Sequence, residues 1–171
     1  MDNNQHLGTP ALLHTRLRAI ERKDCDILSS LLQELAASTG LPGQVVSDTS
    51  NLQAVAFSES PFIYGTVAEN QGQIVGFSLF HRIYSSWRGE SGVYLLDLFV
   101  KPEARKLGLG RRLIAHSASR AFDLWGARFI KLDVALDNTA AQAFYNGLEF
   151  EVDSAATSMV MSEPKFDALI E

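Results

Sequence analysis

Val93-Tyr94-Leu95-Leu96-Asp97-Leu98-Phe99-Val100, followed four residues later by Arg105-Lys106-Leu107-Gly108-Leu109-Gly110-Arg111-Arg112, is the stretch that decides the fold. The first run is apolar except for one acid, as expected of a central strand covered on both faces. The glycine-bearing run then opens a helix, because Leu113, Ile114, Ala118, Ala121, Phe122 and Trp125 keep helical spacing to about residue 125. Residues 128–134 read as a further strand, so strand, helix and strand follow one another.

Upstream, residues 14–20 alternate as a short strand. Asp24 offers a helix N-cap before Ile27, Leu28, Leu31, Leu32 and Leu35, and Gly40 is the stop signal. Residues 47–50 offer caps for a shorter helix reaching about Phe57. Residues 62–68 and 73–83 are rich in β-branched and aromatic side chains and are joined by Glu69-Asn70-Gln71-Gly72, a hairpin turn. Downstream of a polar loop (84–92) and the deciding stretch, Asn138 caps a helix ending near Gly147. Residues 149–153 and 156–161 finish as strands. The pattern predicts a mixed, twisted, mostly antiparallel α/β sheet of six or seven strands with helices on both faces. Residues 1–13, with Gly8 and Pro10, read as a loose arm before one domain, 14–171.

Composition narrows the function. The chain has 171 residues, 46% hydrophobic, which is enough to bury a core without metal or disulfide help. It lacks a long uncharged apolar run and a basic, apolar start, so a soluble, cytoplasmic protein with no membrane partner is expected. Cys25 reads as a small buried side chain, and the four His and one Cys show no metal-ligand spacing and no nucleophilic triad. A net charge of −5 argues against a nucleic-acid partner. Within this acidic chain, Lys101, Arg105, Lys106, Arg111, Arg112 and Arg120 form one basic segment. Such a segment suits a polyanionic ligand, or is simply a solvated helix face.

The glycine run favours the ligand. Glycines let a backbone approach an anion, first-turn amides lack intrahelical partners, and the helix dipole adds positive charge there. A dinucleotide site is disfavoured: Gly108-x-Gly110 is followed by Asp133 at a suitable distance, but Leu113 stands at the third glycine position. The loop from Lys101 to Leu107 is also too long for the tight turn that site needs.

These segments together resemble the GCN5-related N-acetyltransferase superfamily. Arg105-x-x-Gly108-x-Gly110 fits its cofactor loop, and the resemblance spans residues 15–160. It is most similar to the diamine (spermidine/spermine-type) acetyltransferases and their thialysine-acetylating relatives. The stretches that carry it are Asp24-Cys25-Asp26-Ile27-Leu28 with Glu34-Leu35-Ala36, Ile74-Val75-Gly76-Phe77, Trp87-Arg88-Gly89, Tyr94 to Val100, and Asn138-x-x-Ala141-x-x-Phe144-Tyr145. The resemblance implies the acyl-CoA N-acyltransferase fold, acetyl-CoA as cosubstrate, a small-molecule primary amine as acceptor, and a homodimer. It places the pantetheine arm along Leu98, Phe99 and Val100 and the pyrophosphate on the amides of Lys106, Leu107, Gly108, Leu109, Gly110 and Arg111. Asn138 and Ala141 would line the far side, and Tyr145 would be the general acid at sulfur.

The residues themselves leave choices. Asn138, Ala141 and Tyr145 share one helix face, and a protonated tyrosine is a sensible donor to a thiolate, although it can equally pack a helix end. Asp97 either bonds a neighbouring amide or faces the amine and takes its proton. Trp87 either packs against an alkyl-ammonium chain or covers the core, and His81 is expected to face solvent. The diamine pattern has Glu-Asp where this chain has Leu96-Asp97, a Glu where it has Thr39, and often Gly where it has Lys106. The expected reaction is direct acetyl transfer to an amine. The alternative is a non-catalytic acyl-CoA-binding module.

Overall fold

The sheet is built on β3 (Gln73–Ser85), which pairs antiparallel with β2 (Tyr64–Asn70) on one side and β4 (Glu90–Val100) on the other. β1 (Arg16–Ala19) adds antiparallel to β2, and β5 (Ile130–Lys131) adds parallel to β4, giving the order β1-β2-β3-β4-β5. This computed structural model describes residues 15–154 and 157–170. The chain divides into two compact units, one ending at Ala135 and one starting at Leu136. The expected arm (1–13), His14 and Ala156 lie outside the described residues.

Period-two alternation sorts the first unit into two cores. α1 (Cys25–Ser38) and α2 (Thr49–Ala56) cover one face, where Leu28, Leu31 and Leu52 meet Val67, Phe77, Leu79 and Phe99. α3 (Leu109–Trp125) covers the other, where Leu109 and Leu113 meet Ala68 and Val75. Burying each such large side chain is worth about 1.5–3 kcal/mol. Small side chains let α3 sit close to the sheet: Ser78 Oγ lies 2.7 Å from Ser117 Oγ, which donates to Thr66 Oγ1 at 3.0 Å.

The β2–β3 hairpin turns on Gln71 and Gly72, both at positive φ (50° and 79°), the backbone that a two-residue hairpin requires. α2 starts with a reciprocal cap: Asn51 N donates to Asp48 Oδ1 and Asp48 N donates to Asn51 Oδ1. Asp24 does not cap α1 as expected. Its carboxylate instead accepts from the Arg18 guanidinium at 2.6 and 3.0 Å and from Glu21 N at 2.7 Å, tying β1 to the entry of α1.

Three expectations are corrected. The loop expected over 84–92 is mostly strand, because Ser85 pairs Glu90 and only residues 86–89 turn. The strand expected over 128–134 is reduced to Ile130–Lys131. No strand forms at 149–153 or 157–161, so among the described residues the sheet has five strands, not the six or seven expected. Alternation alone makes no strand without a ladder partner. Here Leu148 N and Phe150 N both bond Tyr145 O, and Glu149 takes φ 65°, wrapping the chain round the preceding helix end.

The second unit holds α4 (Thr139–Asn146) and α5 (Lys165–Ile170), the latter not foreseen from sequence. No helix among the described residues is long and apolar enough to cross a membrane.

Candidate active site

A break in β4 shapes the site. Val93 and Lys101 are an even number of residues apart, yet Val93 N donates to Phe129 O beside β5 while Lys101 N donates to Val75 O on β3. Strict two-residue alternation forbids this unless one extra residue is inserted. The register locates it: Phe80 pairs Leu95, Leu79 pairs Asp97, and Leu96 is left over and 42% exposed. Beyond the bulge β4 keeps its pairing with β3, whereas β5 pairs β4 only at Val93 and Tyr94. From Leu95 to Val100, one edge of β4 therefore has no ladder partner among the described residues.

Counting back from Lys101 N, the amides of Leu98 and Val100 point to that open edge. They are two donors in a row with no strand to receive them. Phe99, expected to line the cofactor, instead turns its backbone to β3 and buries its ring beneath α1. Arg105 Nε donates to Val100 O at 2.8 Å, and its guanidinium lies 5.9 Å from the Phe99 ring, so Arg105 pins the glycine loop to the end of β4.

The loop delivers the start of α3. Gly108 sits at φ 72°, ψ 8°, the left-handed conformation that glycine adopts without cost. Lys106 takes the same region at φ 63°, where a side chain is strained by about 1–2 kcal/mol. Arg112 N bonds Gly108 O, so the amides of Leu109, Gly110 and Arg111 have no intrahelical acceptor. The first turn of α3 carries no acid. Lys106 and Arg111 are exposed beside it, while Arg112 is spent on Thr15 O at 2.8 Å. The exposed Leu107 completes the loop. These groups suit a diphosphate: free amides, a helix dipole and two mobile cations.

Asp97 lies on the α1–α2 face, since its cross-strand partner Leu79 belongs to that core. Burial pushes its carboxyl up to about 6, and no cation offsets it. At neutral pH it is ionised and ready to take a proton. On the same face, a ladder of rings leads away from it. Phe62 stacks on His81 (centroids 5.5 Å, 20° between planes) and His81 on Tyr94 (5.3 Å, 22°). The Tyr94 hydroxyl donates to Asp133 Oδ2 at 2.5 Å. Burial, then the hydrogen bond to Asp133 and its charge, push the Tyr94 hydroxyl up to about 12. His81, expected as a solvent-facing strand residue, lies on β3 partly exposed, with its ring in this stack.

Trp87 is not brought to Asp97. It stands at the tip of the β3–β4 hairpin, 99% exposed, six rungs or about 20 Å from the Leu79–Asp97 pair. Thr39, where the diamine pattern has a Glu, spends its hydroxyl on the Leu35 and Ala36 carbonyls.

In the second unit, Asn138 Oδ1 accepts from Ala141 N at 3.0 Å, capping α4. Tyr145 meets Phe144 and Phe150 edge-on at 5.1 and 5.5 Å, and Phe150 N donates to Tyr145 O at 3.1 Å. Sequence reasoning missed Tyr94 as a site residue and met Asp133 only under a dinucleotide reading. An acid in a predicted strand was the available signal. Among the described residues, no group of three or more His, Cys, Asp or Glu is placed to hold a metal ion.

Comparison with known proteins identifies the family and the fold. The thialysine N-epsilon-acetyltransferase of Bos taurus is 35% identical over 140 residues, 77% of this chain and 81% of that one. The D-amino-acid N-acetyltransferase of Saccharomyces cerevisiae is 30% identical over 141 residues, 80% and 85% of the two chains. An aminoglycoside N-acetyltransferase solved in complex with CoA shares the fold, with a TM-score of 0.70 at 20% identity over 88% of this chain and 95% of that one. The model of the acetyltransferase (GNAT) family matches residues 28–150, and the chain belongs to that family.

Proposed function

We propose that the chain acetylates the primary amine of a small, lysine-like molecule at the bulge of β4, with acetyl-CoA held along the open edge of that strand and at the start of α3. That it is an N-acetyltransferase using acetyl-CoA follows from its family. The lysine-like acceptor is supported by relatives named thialysine N-epsilon-acetyltransferase in Bos taurus, Mus musculus and Sus scrofa. The observation that carries the reading is the edge of β4 left unpaired among the described residues, with the buried Asp97 carboxylate just past its bulge and unpartnered helix amides beyond its end.

Bound acetyl-CoA supplies the activated acetyl group. Everything else falls to the chain. The amides of Leu98 and Val100 can add a peptide-like arm as a strand edge adds a strand. The amides of residues 106–111, with Lys106 and Arg111, hold the diphosphate. Asp97 takes the proton that the ammonium must lose before its nitrogen can attack. An edge amide near Leu98 faces the place where negative charge develops on the acyl oxygen. Asn138 and Ala141 as cofactor contacts, and Tyr145 as the acid returning a proton to sulfur, rest on the family resemblance. Trp87 as an acceptor contact rests on it as well. So does pairing with a second copy, which sedimentation of the purified protein tests; a cytoplasmic location rests instead on the composition of the sequence.

The experiment is free-thiol release from acetyl-CoA across lysine, thialysine, short diamines, monoamines, a peptide N-terminus and an amine antibiotic. Amine-dependent release greatest with the lysine-like and diamine members is expected. Binding of CoA with no amine-dependent release would contradict the reading.

A further inference from the structure

The diamine pattern carries two carboxylates that this chain lacks, and the two positions are accounted for: Leu96 is the bulged residue and Thr39 caps a helix. Neither offers charge to a second ammonium. The structure brings in another carboxylate, from just past the end of β5.

In the parallel β4–β5 register, Tyr94 pairs Lys131. Asp133 lies two residues past Lys131, beyond the end of β5, and its carboxylate is held by the Tyr94 hydroxyl. Tyr94 and Asp97 are successive side chains on β4 across the bulge. They share a face: Asp97 pairs Leu79, Tyr94 pairs His81, and Leu79 and His81 are two residues apart on β3. Only the extra Leu96 allows Tyr94 and Asp97, three apart, to be successive side chains on one face, about 7 Å along the strand.

Tyr94 fixes Asp133. Its hydroxyl holds Oδ2 at 2.5 Å and leaves Oδ1 unused. The stack of Phe62, His81 and Tyr94 provides a flat wall beside it, and Phe62 is 67% exposed at the outer end. His81 is held in that wall by the hydrogen bond between its Nδ1 and Arg82 O, 2.9 Å. A short alkyl chain can lie on such a wall with a cation at each end.

Resting on the acetyl-transfer reading above, we propose that Asp133, positioned by Tyr94, is the specificity-determining carboxylate of the acceptor site: it holds the second ammonium of a substrate whose reacting amine lies at Asp97. The chain thereby selects short dications over monoamines of equal length. Asp133, from the segment after β5, replaces the carboxylate that Leu96 cannot supply.

The test is kcat and KM for 1,4-diaminobutane and 1,5-diaminopentane against butylamine and pentylamine, by thiol release. The unaltered enzyme favours the diamines through KM. Asp133→Asn lowers kcat/KM for the diamines about tenfold or more, the scale of a charge-assisted hydrogen bond, with kcat and the monoamines nearly unchanged. Tyr94→Phe moves the same ratio in the same direction by a smaller factor. Asp133→Lys shifts preference to 4-aminobutanoate, which a merely structural role would not do. Equal loss on both series, or no diamine preference in the unaltered enzyme, overturns this assignment and leaves acetyl transfer standing. Thiol release with no amine overturns both.

Discussion

Asp97→Asn separates the chemistry of the carboxylate from its cost. Burial lifts the Asp97 carboxyl from an ordinary 3.8 to about 6, so the fold is destabilised whenever that group is ionised. The difference corresponds to about 3 kcal/mol. An acid whose folded-state value lies above its unfolded one makes the protein lose stability as pH rises between the two. The loss is small at pH 4, about 0.6 kcal/mol, roughly half complete at pH 5, and full by pH 7.5. Asparagine does not titrate, and the fixed cost of burying its amide is the same at every pH. The stability of Asp97→Asn minus that of the unaltered protein should therefore rise by about 2.5 kcal/mol between pH 4 and pH 7.5. Urea unfolding followed by circular dichroism at both pH values measures it. The same variant should lose acetyl transfer by about 10²-fold or more, the usual scale for removing a general base. A stability difference that does not change with pH would show that Asp97 is not a buried, uncompensated carboxylate, and the argument for its basicity would go with it.

Other outcomes follow from the first unit's geometry and, for Tyr145, from the family resemblance. The unaltered enzyme's kcat/KM should rise with pH through about 6, as Asp97 ionises, and a rate that falls through that range would exclude it as the base. Tyr145→Phe should lower kcat while leaving acetyl-CoA affinity, measured by calorimetry, within about twofold; an unchanged kcat would remove its acid role. Gly76→Ala places a Cβ 2.8 Å from the Phe99 carbonyl oxygen, a backbone atom, and 3.3 Å from Leu113 Cδ1. It should cost about 1–3 kcal/mol by chemical denaturation, and a neutral result would mean that β3 and β4 part more easily than drawn. Lys106→Gly relieves a left-handed side chain and should stabilise the protein by roughly 0.5–1 kcal/mol, whereas destabilisation would show that the loop holds another conformation.

The parts of the fold legible in the sequence are those where local pattern and tertiary partner agree. The 3.6-residue spacing of α1 and α3, the hairpin turn within Glu69–Gly72 and the apolar run of β4 each carry their own signal; the helices and β4 formed where expected, and the turn closed on Gln71-Gly72 alone. The strands expected at 149–153 and 156–161 show the limit. Val152, Met159 and Val160 sit in plausible strand patterns, but a strand is completed by a neighbour's hydrogen bonds, about which residue spacing says nothing. The bulge was equally hidden, because an extra Leu in an apolar run looks like any other; its effect is seen only in the opposite directions of Val93 N and Lys101 N.

The candidate site divides in the same way. The glycine loop was legible because φ 72° at Gly108 and the open first turn of α3 are local requirements with a local residue signature. The environment of Asp97 was half legible: an acid in an apolar strand announces burial, but not which face it takes. The Tyr94–Asp133 pair could not be read at all. It joins residues 39 apart through a parallel register that lasts only two residues. For Trp87 the resemblance in sequence suggests the acceptor, while its place in the fold, the exposed tip of the long β3–β4 hairpin, carries no local signal in the sequence.

The central claim is that an unpaired strand edge and the amides opening α3 together form the seat of CoA. A crystal structure of the chain grown with CoA tests it most directly. The account predicts the diphosphate against the amides of residues 106–111 and the pantetheine arm hydrogen-bonded to Leu98 and Val100 at the β4 edge. A structure with CoA bound elsewhere, or with another strand of the same chain zipped onto β4 from Leu95 to Val100, would contradict it.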